Sequence, residues 1–186
     1  MLFWICLAGP LLFLAVSLLL GKLAPDYTHA ADEMSYLVYS PYGKWQTANF
    51  LGCGILTIGL AYLLISSSSS SAQGIYLVQV GAWALGSSLI LLRVFPTQKK
   101  SHKTYISQIH KVIFVLSVLI QGILQLLFAS KNPHTTIAYY LLVSGTITLI
   151  GLPAMFIWKN RRGLAQRVLV GAIMLWVTTG ALLIHR

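Results

Sequence analysis

The sequence predicts an all-α fold: a polytopic transmembrane bundle of six helices, with an amphipathic helical segment in the first cytoplasmic loop. Three observations carry this expectation. Hydrophobic residues fill 57% of the 186 positions and charged residues only 9%, with a mean hydropathy of +0.79. Soluble domains carry about 25% charged residues, so too little polar sequence is present here to cover a water-facing surface. Six apolar stretches each reach the roughly 20 residues that a helix needs to cross hydrocarbon. Basic residues and loop-forming residues separate those stretches.

The expected spans are residues 2–21, 45–65, 75–95, 109–129, 135–158 and 164–184, together one membrane domain over 1–186. The first has no basic residue ahead of its apolar run and is too long for a signal core, so it counts as a span, with a kink expected at Pro10. The second follows Lys44 and carries Ala48, Gly52 and Gly59, small residues that let helices approach closely. Its Gly52-Cys53-Gly54 lies inside an apolar run and not after a strand, which excludes a phosphate loop. A serine run at 66–71 reads as a short connector to the third span, which holds Gly81 and Gly86 and closes at Phe95-Pro96. The fourth opens beside His110 and ends before Lys131 and Pro133. The fifth runs to Trp158 and contains Gly151-Leu152-Pro153, a second point where a helix would break. The sixth follows the basic stretch 159–163. Backbone groups in lipid must be satisfied within their own segment, so these runs are helices. They lack the alternation of a membrane barrel.

Thirteen Lys and Arg against three acids give a net charge of +10. No nucleic-acid reader motif accompanies that charge, so no nucleic-acid partner is expected. The basic residues suit the lipid bilayer, including anionic headgroups. Eleven of them, including Lys22, Lys44, Arg93, Lys111, Arg161 and Arg162, adjoin loops one, three and five, whereas Lys131 and Arg186 stand alone on the other side. The excess places loops one, three and five in the cytoplasm and both termini outside, in a cell inner membrane. Cys6 and Cys53 lie at different depths of their spans, so a disulfide is not expected.

All three acids, Asp26, Asp32 and Glu33, occur in the first loop. From 28 to 39 this loop has helical periodicity, with Ala30, Ala31, Met34, Leu37 and Val38 on one stripe and Thr28 placed as an N-cap. A helix lying over the mouth of the bundle is expected. On the same side stand Arg93 near the end of the third span, His110 and Arg167. Ionisable groups inside a span need a partner or a wet cavity. Asp32 or Glu33 is therefore expected to pair with Arg93 or Arg167. The bland reading makes these structural clips and snorkelling cations. The functional one makes them a polar pocket in which His110 titrates near neutral pH. The histidines are scattered, with no HxxxH or HExxH, so no metal ligand set is expected. Ser35, His110 and Asp32 have the residue types of a hydrolase triad, but spacing alone gives them no geometry.

Several short motifs recur here in an ordered series. Tyr27 is followed by Ser35-Tyr36-Leu37, Ser40-Pro41-Tyr42 and Trp45 through Asn49, leading into Gly52. Arg93-Val94-Phe95-Pro96-Thr97, His110 and the run from Gly163 to Val168 with Trp176 follow. This series resembles the bacterial and archaeal domain-of-unknown-function family 998 over most of the chain. The resemblance implies a six-helix membrane protein of unestablished biochemical role, with recurring polar positions at Tyr27, Ser35, Asn49, Phe95-Pro96, His110 and Arg167. Gln166 stands where the family's pattern carries an acid, which weakens any acid–arginine pair within the sixth helix.

The candidate polar pocket therefore comprises Tyr27, Asp32, Glu33, Ser35, Asn49, Arg93, His110 and Arg167. The first expectation for function is a non-catalytic component or small subunit of a larger membrane-protein complex. No resident cofactor is expected, although such a component could carry bound lipid or pigment. The alternative is a small-molecule or lipid-headgroup binding or transport protein with its pocket under loop one. No catalytic residue is assigned, and an enzyme is the weaker expectation.

Overall fold

Each apolar stretch folds as one continuous helix in the structure, a computed structural model described over residues 1–66, 73–96, 105–131 and 136–185. The helices are α1 (Leu2–Leu23), α2 (Gly43–Ser66), α3 (Gln73–Val94), α4 (Tyr105–Lys131), α5 (Thr136–Ile157) and α6 (Arg162–His185). All six are long and apolar enough to cross a membrane. The shortest have 22 residues, about 33 Å of rise against roughly 30 Å of hydrocarbon. Pro10 and Pro153 are carried inside α1 and α5 without ending them. Among the described residues no strand occurs. The serine connector at 67–71, the basic residues Lys99, Lys100 and Lys103, and position 135 of the expected fifth span lie outside the described residues.

Consecutive helices pack against one another, and α6 closes the arrangement by touching all five others. It is the hub: Leu169, Met174, Trp176, Val177 and Ala181 are fully buried. Side chains that face outward are instead large and apolar, among them Trp4, Ile55, Ile120 and Ile150, as lipid requires. With lipid outside, burial of apolar area contributes little, and close packing and hydrogen bonds hold the helices together. The α2–α3 crossing shows the first. A Cβ on Gly86 would meet the Gly54 carbonyl oxygen at 2.7 Å, and one on Gly54 would meet the Gly86 carbonyl oxygen at 2.9 Å. The second is a relay across three helices. Trp176 Nε1 of α6 donates to Gln121 Oε1 of α4 at 2.9 Å, and Gln121 Nε2 donates to the Gly81 carbonyl of α3 at 2.7 Å.

The first and fifth connections meet at one end of the bundle, where Leu164 N–H donates to the Ala30 carbonyl at 3.0 Å. The single amphipathic helix expected over 28–39 is divided there. Residues 28–32 form a turn in which the Thr28 carbonyl accepts from Ala31 and Asp32 N–H. Asp32 Oδ2 accepts from Thr28 N–H at 2.8 Å, and the helix that follows has Glu33, not Thr28, at its N-cap. Glu33 is extended, and a 3₁₀ helix occupies Met34–Tyr39. The reason is a long-range bond: Met34 N–H leaves the local ladder and donates to Gln166 Oε1 of α6 at 2.7 Å.

Candidate functional site

The first connection is held onto α6 by a set of contacts centred on Arg167. Its Nη1 donates to the carbonyls of His29, Asp32 (3.2 Å) and Gly163 (2.7 Å), and its Nη2 donates to Tyr27 Oη. Tyr27 Oη in turn donates to the Asp32 carbonyl at 3.2 Å. The guanidinium also lies over the Tyr27 ring, 5.4 Å from its centroid. Three carbonyl dipoles and a ring face thus hold this cation. Gly163 makes the approach possible, since a Cβ there would meet the His29 carbonyl oxygen at 2.7 Å and Arg167 Nη1 at 2.9 Å. Tyr27 pays for its place: burial pushes its hydroxyl pKa up, against the pull of Arg167. His29, edge-on to the Tyr27 ring, is held below its ordinary value by burial and then by Arg167.

Glu33 pairs with a different arginine from the two expected. Glu33 Oε1 lies 3.2 Å from Arg162 Nη1, at the first residue of α6. The geometry explains the exchange. Arg167, one turn further in, is already surrounded by backbone carbonyls, while Glu33 sits at the rim where Arg162 also reaches the Met155 carbonyl. Arg93 lies close enough to Tyr39 to influence its hydroxyl, and Arg93 Nε has no partner among the described residues.

Beneath Met34 and Ser35 lies a cavity of about 40 Å³. A water needs about 10–15 Å³ by the same measure, so the space admits a group of roughly three heavy atoms. Its walls are Phe13, Phe50, Leu89, Val118, Ile173 and other apolar side chains from α1, α2, α3, α4 and α6. Polar groups gather toward the loop: Ser35, His110 and Gln166, with Ser88 and Ser117 lower down. From His110 to Ser117 the cavity follows about 10 Å of helix rise. His110 is buried, and its Nδ1 bonds the Phe95 carbonyl at 2.7 Å. It lies in the second turn of α4 and does not open that helix, because α4 begins at Tyr105. Ser35 is 5% exposed, and its Oγ has no hydrogen-bond partner among the described residues. A groove of about 100 Å³ shares His110, Phe114 and Gln166 with the cavity and runs between α4, α5 and α6 past Glu33, Lys111 and Arg162.

The eight candidate residues therefore divide. Tyr27, Asp32 and Arg167 belong to the clamp, Glu33 to the groove, and Ser35 and His110 to the cavity. Arg93 stands at the end of α3. Asn49 is elsewhere: its Nδ2 donates to the Phe13 carbonyl and to Ser17 Oγ, both at 3.1 Å, tying α2 to α1 beside Gln46. The sequence reading missed Gln166 and Arg162 as site residues. Gln166 had a visible signal, since the resemblance led to an acid being expected at its position. Among the described residues, no three His, Cys, Asp or Glu side chains gather as a metal would need. Cys6 and Cys53 are free and buried.

A family model described as "Protein of unknown function (DUF998)" matches residues 7–183. The chain belongs to this family. The DUF998 match covers the clamp, the cavity and the groove together. No curated protein and no solved structure matches the chain. The protein is thus an integral membrane protein of an uncharacterised family, and its role must be argued from its own geometry.

Proposed function

We propose that this DUF998 protein binds a small amphiphilic molecule with its head in the cavity under the first connection, which the clamp holds in place as a roof, and its tail in the adjoining groove. One observation carries the reading: a cavity with apolar walls has its hydrogen-bonding groups concentrated at one end, where the buried Ser35 hydroxyl lacks a partner among the described residues. Ligand sites combine apolar walls with a few convergent polar groups in this way. The groove between α4 and α5, where Phe156 is exposed, offers access from the lipid. The same reading puts the clamp end in the cytoplasm, supported by the basic residues of loops one, three and five.

Native mass spectrometry of the full chain in mild detergent tests this. A chain that retains an amphiphile of defined mass, lost in Ser35→Ala and His110→Ala, is the expected result. A ligand-free chain locked in a stable hetero-complex would favour a structural component of a larger membrane assembly instead.

A further inference from the structure

We infer that the head of the bound amphiphile is uncharged and carries a hydroxyl. This rests on the amphiphile-binding reading and deepens it. Among the described residues the cavity wall contains no Lys, Arg, Asp or Glu. Ionic groups stand instead in the adjoining groove, where Glu33 and Arg162 pair at 3.2 Å and Lys111 lies at the wall. An ionic head in the cavity would lose its hydration and find no counter-charge on these walls.

The hydrogen-bonding pattern points the same way. A carbonyl only accepts, so His110 Nδ1 donates to Phe95, and in the neutral imidazole Nε2 is then an acceptor. Met34 N–H only donates, so it fixes the Gln166 amide with its oxygen toward the loop and leaves the NH₂ group as the donor side of that wall residue. Ser35 supplies a buried hydroxyl that both donates and accepts. One acceptor beside two donors complements an alcohol, which gives its proton to His110 and accepts from Gln166 or Ser35. A carboxylate has no proton to give His110, and a phosphate monoanion, whose P–OH could donate, brings a charge that no residue described on this wall balances. A quaternary ammonium has no proton to give.

Photolabelling tests the head class on the full chain in mild detergent, with a diazirine-bearing octanol as the probe. Label carried on the tail should map to the groove walls on α4, α5 and α6 and fall in Ser35→Ala, which removes one hydroxyl and little else. Octanol should compete about tenfold better than octyl phosphate or octyltrimethylammonium. Competition by octyl phosphate or octyltrimethylammonium equal to that by octanol would overturn the uncharged head and leave amphiphile binding standing. Label confined to the lipid-facing surface, and unchanged in Ser35→Ala, would overturn both. His110→Ala adds a second arm: if it remains folded by size exclusion and labels like the parent, the hydroxyl acceptor is wrongly assigned.

Discussion

His29 shows how a single residue ties the first connection to solution conditions. Its ring stands edge-on to Tyr27 at 5.5 Å between centroids, and its buried Nδ1 lacks a partner among the described residues. Burial first, and the Arg167 charge second, hold its pKa below the ordinary 6.5. As pH falls, the unfolded chain therefore takes up the proton before the folded one does. The stability due to neutral His29 is complete above about 6.5 and is lost as pH falls below it. Amide exchange in residues 24–33 should accelerate between pH 7 and 5 in the parent, beyond the intrinsic trend. In His29→Gln that excess acceleration should vanish; an unchanged profile would remove His29 from the docking equilibrium. Gln166 teaches a related lesson at this scale. A neutral side chain in an apolar run gives no charge signal, yet it decides where the first connection docks through its bond to Met34 N–H.

At the scale of elements, the helices were legible and the connection was not. Length and hydropathy locate a membrane helix because lipid forces its backbone bonds to be local. The same logic fails for residues 28–39, whose local periodicity favours one helix while a distant acceptor on α6 breaks it at Glu33. Glu33 pairs with Arg162 and not with either arginine expected, since spacing does not say which cation the carbonyls already hold. Gly163 tests the docking of connection on helix. Alanine there would gain about 1 kcal/mol of helix propensity at most, and less so near an end. Its Cβ would be driven against two backbone carbonyls, which cannot turn aside as a side chain can. Overpacking of this kind costs about 1–3 kcal/mol. Gly163→Ala should therefore lower the melting temperature and expose the first connection to protease while the six helices persist by circular dichroism. A variant as protease-resistant as the parent would show that the close approach is not required.

For the whole molecule, polarity is unevenly shared between its two ends. The end bearing loops one, three and five carries most of the basic residues, the clamp and both the cavity and the groove. Charge asymmetry of this size sets orientation, so single cysteines placed at Asp26 and Asn160 should react with a membrane-impermeant maleimide only after the cells are opened. One placed at Lys131 should react in intact cells, and the reverse pattern would invert the topology. The hub position of α6 also has a consequence in time. Of the six described helices α6 is the last to be synthesised, yet it supplies Gln166 to the cavity, Arg167 to the clamp and Trp176 to the three-helix relay. The preceding five helices enter the bilayer with Gln121 deprived of its indole partner and the first connection without its dock. The cavity is thus completed only when α6 inserts, so a chain stalled before α6 is a membrane protein whose cavity lacks its Gln166 wall.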